Sequence, residues 1–81
     1  MFDAEEVERQ IEAARWHAAK IRNGAYFNAR LAELARLFRP DCASQTERHM
    51  LKAKLLAAVR HTVSGQCAAT RRHVARVLGA H

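Results

Sequence analysis

Ile21-Arg22-Asn23-Gly24-Ala25-Tyr26-Phe27 is the stretch that decides how this chain folds. Before it, Val7, Ile11, Ala14, Ala18 and Ile21 recur at the spacing of one helical face. After it, Phe27, Leu31, Leu34 and Phe38 do the same. An ideal helix run straight through Gly24, at about 100° per residue, puts the two sets on roughly opposite sides. One straight helix would then need core on both faces. A stop at Asn23-Gly24 gives each half its own stripe, so the reading is two helices, 3–22 and 26–38. The alternative is a single long helix bridging two partners.

Moving outward, Asp3 is placed to cap the first helix, with Glu6 three residues on as a capping-box partner. The acids that follow sit where the helix dipole favours them, and Lys20 and Arg22 suit the last turn. Pro40 disfavours a helical Arg39 and closes the second helix, which leaves 40–44 as a loop in which Cys42 is expected to be exposed and oxidisable. Ser44-Gln45-Thr46-Glu47 matches a capping box directly before a periodic apolar run, so a third helix is predicted over 45–63. Its stripe of Leu51, Leu55, Ala58, Val59 and Thr62 is widened by Leu56 and Val63, as in a central helix touching two neighbours. Ser64-Gly65 reads as a turn, with Gly65 ending the third helix and either residue capping a fourth over 66–78. Cys67, Thr70, Val74, Val77 and Leu78 share the inner face of that helix, Gly79 ends it and Ala80-His81 fray. The expected fold is all-α: one domain over 1–81, a bundle of three to four short helices. At 81 residues the core is small, and completion by dimerisation is expected.

The net charge is +6, but it is unevenly placed. Residues 1–12 sum to −4, whereas 13–40 and 41–81 each sum to +5. From Arg48 to His81 there are seven cations (Arg48, Lys52, Lys54, Arg60, Arg71, Arg72, Arg76) and no acid. Soluble helical faces usually mix signs. A one-sign surface on rigid helices suits phosphate, whose recognition needs only fixed positive charge at suitable spacing. The expected binding residues are Lys52, Lys54, Arg60, Arg71, Arg72 and Arg76, and the acidic Asp3–Glu12 segment is expected to dock on this basic half and shield part of it.

Recognition of bases is a weaker expectation. The last two helices and the turn between them suggest a helix-turn-helix, but the third is long for the first helix of that motif. The first turn of the would-be reader offers only Gln66 and Thr70. No Phe, Tyr or Trp follows Phe38, so the basic half has no stacking platform for single strands. Trp16 falls opposite the Val7–Ile21 stripe. It is read as covered by the second helix folding back, with a partner anchor as the alternative. Tyr26 and Phe27 are read as core.

Other chemistries find little support. His17, His49, His61, His73 and His81, with Cys42 and Cys67, show no ligand pair one helical turn apart, and no metal or cofactor is expected. Cys67 is read as a small core residue. The acids cluster in the first helix, no Gly-rich phosphate loop occurs, and no nucleophile sits in a recognised motif, so no catalytic residue is assigned. No apolar run approaches the ~18–20 residues of a membrane span. The acidic N-terminus is unlike a signal peptide, and the chain is read as cytoplasmic with reduced thiols. The expected function is a small non-enzymatic nucleic-acid-binding or nucleic-acid-associated accessory protein, homodimeric, with no membrane or small-molecule substrate. The alternative is a regulatory adaptor or inhibitor of phage or plasmid type, using its basic face or Trp16 on an acidic or apolar protein.

Overall fold

The computed structural model describes residues 2–59 and 64–79, and the backbone alone for 64–67. Among the described residues the chain is all-helical: α1 (Ala4–Ile21), α2 (Gly24–Phe38), a 3-10 turn (Arg39–Asp41), α3 (Gln45–Val59) and α4 (Ser64–Val77). The expected Arg60, His61, Thr62, Val63 and His81 lie outside the described residues.

The break at 22–23 is present, but its chemistry differs from a glycine stop. Arg22 takes the left-handed conformation (φ 54°, ψ 47°), alone among the described non-glycine residues. Its N–H donates to Ala19 O at 3.2 Å and that of Asn23 to Ala18 O at 2.9 Å, the paired bonds of a Schellman ending. Asn23 then opens α2: its Oδ1 accepts from Tyr26 N at 3.1 Å. Gly24 is already helical, so α2 begins two residues before the expected 26.

The other caps are local and close to expectation. Asp3 Oδ1 accepts from Glu5 N and Glu6 N at 3.0 and 3.2 Å. Glu6 does not complete a box, because its carboxylate turns outward to Gln10 and Arg9, which together hold it below the usual carboxylate range. At α3, Glu47 N donates to Ser44 Oγ at 3.2 Å, and Glu47 Oε1 accepts from Ala43 N at 2.8 Å. Ser64-Gly65 is not a turn: both residues lie inside α4. The first turn tolerates them because its N–H groups have no intrahelical acceptor to lose.

α2 and α3 pack together at the centre, and α1 and α4 each pack against both. α1 and α4 therefore lie on opposite sides of the central pair. The core takes Val7, Ile11, Ala14 and Ala18 from α1, and Phe27, Leu31, Leu34 and Ala35 from α2. It is completed by Leu51, Leu55, Ala58 and Val59 from α3, with Val74 and Leu78 at the end of the chain. Phe2, Tyr26, Phe38, Leu56 and Val77 cover its edges. Ile21, at the end of its stripe, is 45% exposed because the chain turns away at Arg22. Cys42 is buried, contrary to expectation. The 3-10 turn swings it inward, and its Sγ donates to Phe38 O at 3.4 Å. Burial, reinforced by the Glu47 carboxylate, pushes its thiol pKa up, which keeps it protonated and a poor nucleophile. The side chain of Cys67 lies outside the described residues.

Two features cost stability. A left-handed L-residue is disfavoured by about 1–2 kcal/mol. Arg22→Gly is therefore expected to stabilise the fold by about 1 kcal/mol, read as a higher denaturant midpoint with unchanged slope. Asn28 is 3% exposed, and neither its Oδ1 nor its Nδ2 has a hydrogen-bond partner. Leu is close to Asn in shape and removes the unpaired amide. Asn28→Leu should raise stability by about 1–3 kcal/mol, and a loss in thermal denaturation would show the amide to be satisfied.

Candidate functional site

The candidate surface is built where α2 meets α4. Asn28 and the small residues Ala25, Ala29 and Ala32 of α2 border a shallow groove of about 370 Å³ with Ala69, Thr70 and His73 of α4. Alanines let the two helices approach closely, and larger cationic residues then flank the seam. Arg36 Nη2 lies 3.1 Å from His73 Nε2. A guanidinium has only donors, so in this contact the ring nitrogen is the acceptor. Three residues on, in the 3-10 turn that follows α2, Arg39 Nη2 is 3.9 Å from where a Cβ on Gly79, just past α4, would stand. The contacts climb both helices in the same direction. Arg76 follows His73 by three residues, so helical geometry sets it on the same flank, and Arg72, four residues before Arg76, lies next to it on the outer side of α4. Both are exposed.

The sign of the surface follows from where the acids are used. Glu6 pairs with Arg9, Glu12 with Arg15, Glu33 with Arg30 and Glu8 with Lys54, while Asp3 stands 4.0 Å from Arg9. Among the described residues Arg36, Arg39, Lys52, Arg71, Arg72 and Arg76 make no ion pair. The nearest acid in sequence is Asp41, exposed two residues beyond Arg39.

The residues expected from sequence are thus divided. Arg72 and Arg76 stand on the outer side of α4 beside the seam. Arg71 is exposed on another flank, and Lys52 is half-buried on α3. Lys54 is occupied, its Nζ donating to Glu8 Oε1 at 2.8 Å; of the acidic segment expected to dock on the basic half, this is the one ion pair across to it among the described residues. Arg60 lies outside the described residues. Arg36 and Arg39 are additions to the expected set, since they lie outside the acid-free stretch 48–81 that defines the basic face in sequence. The +5 charge of residues 13–40 was the signal that could have found them.

Thr70 is 8% exposed and faces inward, so it is not placed to read a base edge, and the side chain of Gln66 is not described. The cover predicted for Trp16 is absent. α2 folds back on the Val7–Ala18 face, opposite the indole, which stays 75% exposed. Phe27 is covered by the Arg15 guanidinium, 5.2 Å from the ring centre, and Tyr26 by the His17 ring at 4.9 Å.

No protein-family model matches the chain, and no curated protein or solved structure matches it significantly. Among the described residues no helix is long and apolar enough to cross a membrane.

The Glu8–Lys54 pair is solvent-accessible, and such pairs contribute about 0–1 kcal/mol. Its larger effect is on charge. Glu8→Gln is expected to leave stability within about 1 kcal/mol and to free Lys54, so the variant should leave a heparin column at higher salt than the wild type. Unchanged elution would show that the pair shields nothing.

Proposed function

We propose that this chain is a small, non-enzymatic, nucleic-acid-associated accessory or regulatory protein that grips the phosphate backbone and works as a cytoplasmic homodimer. The observation that carries this reading is the group Arg36, Arg39 and Arg76 where α2 meets α4, with Arg72 beside it on the outer side of α4, on side chains with no ion pair among the described residues. Arg71 on another flank of α4 and Lys52 on α3 add to the basic character, and Arg60 belongs to the same basic segment. Cations carried by rigid helices neutralise phosphates and release counterions, which gives affinity without sequence preference. With Thr70 turned inward and no aromatic residue on α4, binding is to backbone, not to bases.

A second reading rests on a different observation, the exposed Trp16. There the chain is an adaptor or inhibitor of another protein, with the indole as anchor and the basic face meeting an acidic partner.

Fluorescence anisotropy with arbitrary duplex DNA over a salt series separates the two. The first reading predicts binding at ~50 mM salt that weakens steeply by ~200 mM. Arg72→Ala with Arg76→Ala should make the log–log salt slope shallower by about 2, one per lost phosphate contact. No binding at ~50 mM salt would sink the nucleic-acid reading. Recovery of a single protein partner, lost on Trp16→Ala, would then favour the adaptor.

A further inference from the structure

Trp16 is the most exposed large apolar side chain among the described residues, and it sits at the centre of a patterned stripe. Glu12, Trp16 and Lys20 follow one another at four-residue steps along the outer face of α1. Ala13 and Ala19, three residues to either side of the indole, are exposed and small. Beside the ring lies a shallow depression of about 620 Å³ lined by Glu12, Arg15, Trp16, Ala19 and Lys20. Glu12 leans on Arg15, with Oε1 3.4 Å from Nε, yet its side chain remains 64% exposed. Lys20 makes no ion pair among the described residues.

The stripe is complementary to itself in one arrangement. A two-fold axis through Trp16 with the helices antiparallel brings together residues equally far from Trp16 in opposite directions. Glu12 then meets Lys20 of the second copy, and Ala13 meets its Ala19. The small pair lets the backbones approach, and each indole can lie in the depression beside the other copy's Ala19. Parallel pairing would set Glu12 on Glu12 and Lys20 on Lys20. A two-fold contact uses the same patch on both chains, so self-complementarity of this kind is its requirement.

We infer that the outer face of α1 is the homodimer interface: two copies pair antiparallel about Trp16, with Glu12 of each on Lys20 of the other. The inference deepens the dimeric part of the proposed function and rests on that part alone. A helix of 18 residues spans about 27 Å. One such contact falls at the small end of specific interfaces, so the dimer is weak and reversible. α1 and α4 flank the central pair on opposite sides, so a contact through the outer face of α1 leaves the α4 cations of both copies uncovered. The dimer is therefore bivalent toward a phosphate polymer, and the second contact is made at high effective concentration.

Sedimentation equilibrium on the full chain tests this, with circular dichroism to confirm folding. The wild type should show a monomer–dimer equilibrium. Trp16→Ala should weaken it about tenfold or more. Glu12→Lys and Lys20→Glu should each weaken it, and the double charge swap should restore it to within about threefold of wild type. A wild type that is monomeric throughout overturns the interface together with the dimeric reading. A dimer unaffected by Trp16→Ala overturns the interface and leaves the dimeric reading standing. A double swap no better than the single changes overturns the antiparallel register. Trp16-dependent capture of a different protein without self-association overturns the inference in favour of the adaptor. Duplex binding by the charge-swapped monomers is read separately, so loss of the nucleic-acid reading is not confused with loss of the interface.

Discussion

The turn at Arg22-Asn23 is the constraint on which the other features depend. The apolar stripes of residues 7–21 and 27–38 are out of phase, and only a reversal brings both to one core. Arg22 supplies the reversal by entering the left-handed region, and Asn23 offsets part of that cost by capping α2. The reversal also decides what α1 shows to solvent. α2 can cover one face of α1, and the core stripe claims it, so Trp16 is left outside. An exposed indole is thus a direct consequence of the pairing that builds the core.

Charge follows the same geometry. Five of the eight acids belong to the first twelve residues, and most are engaged by cations of α1 itself. Glu8 alone reaches across, to Lys54 of α3. These exposed pairs contribute little to stability. Their effect is to neutralise one side of the molecule. The side formed by α2 and α4 keeps its cations, and a protein of moderate net charge acquires a directional field that can steer an anionic partner.

Most of the fold was legible in the sequence because its determinants are local. The caps at Asp3 and Ser44 and the break before Gly24 each act within four residues, and the helical stripes repeat within a turn or two. Cys42 was misread because whether a loop residue is buried depends on how the 3-10 turn aims it. Ser64-Gly65 was misread because both residues suit a turn and a helix start equally. Arg36 and Arg39 were missed at the candidate site because their neighbours His73 and Gly79 lie nearly forty residues away, beyond any periodicity. Trp16 is different. The phase argument that separated α1 from α2 already placed the indole opposite the stripe that α2 must cover. Its expected cover came from the habit of burying large aromatics, and the local geometry outweighed that habit.

The separation of α1 from α4 by the central pair bears on how the two surfaces relate. A single patch serving both as dimer contact and phosphate contact would face a conflict, since each partner would exclude the other. Here α1 packs on α2 through its Val7–Ala18 face, Trp16 stands on the opposite face of α1, and the cations lie where α2 meets α4. Changes at well-separated sites with no shared partner combine nearly additively. Self-association through α1 and anion binding along the α2–α4 seam therefore place no steric demand on one another. Coupling between them arises only through valency: two cationic surfaces on one dimer bind a long phosphate polymer more tightly than one does, with no change in either site.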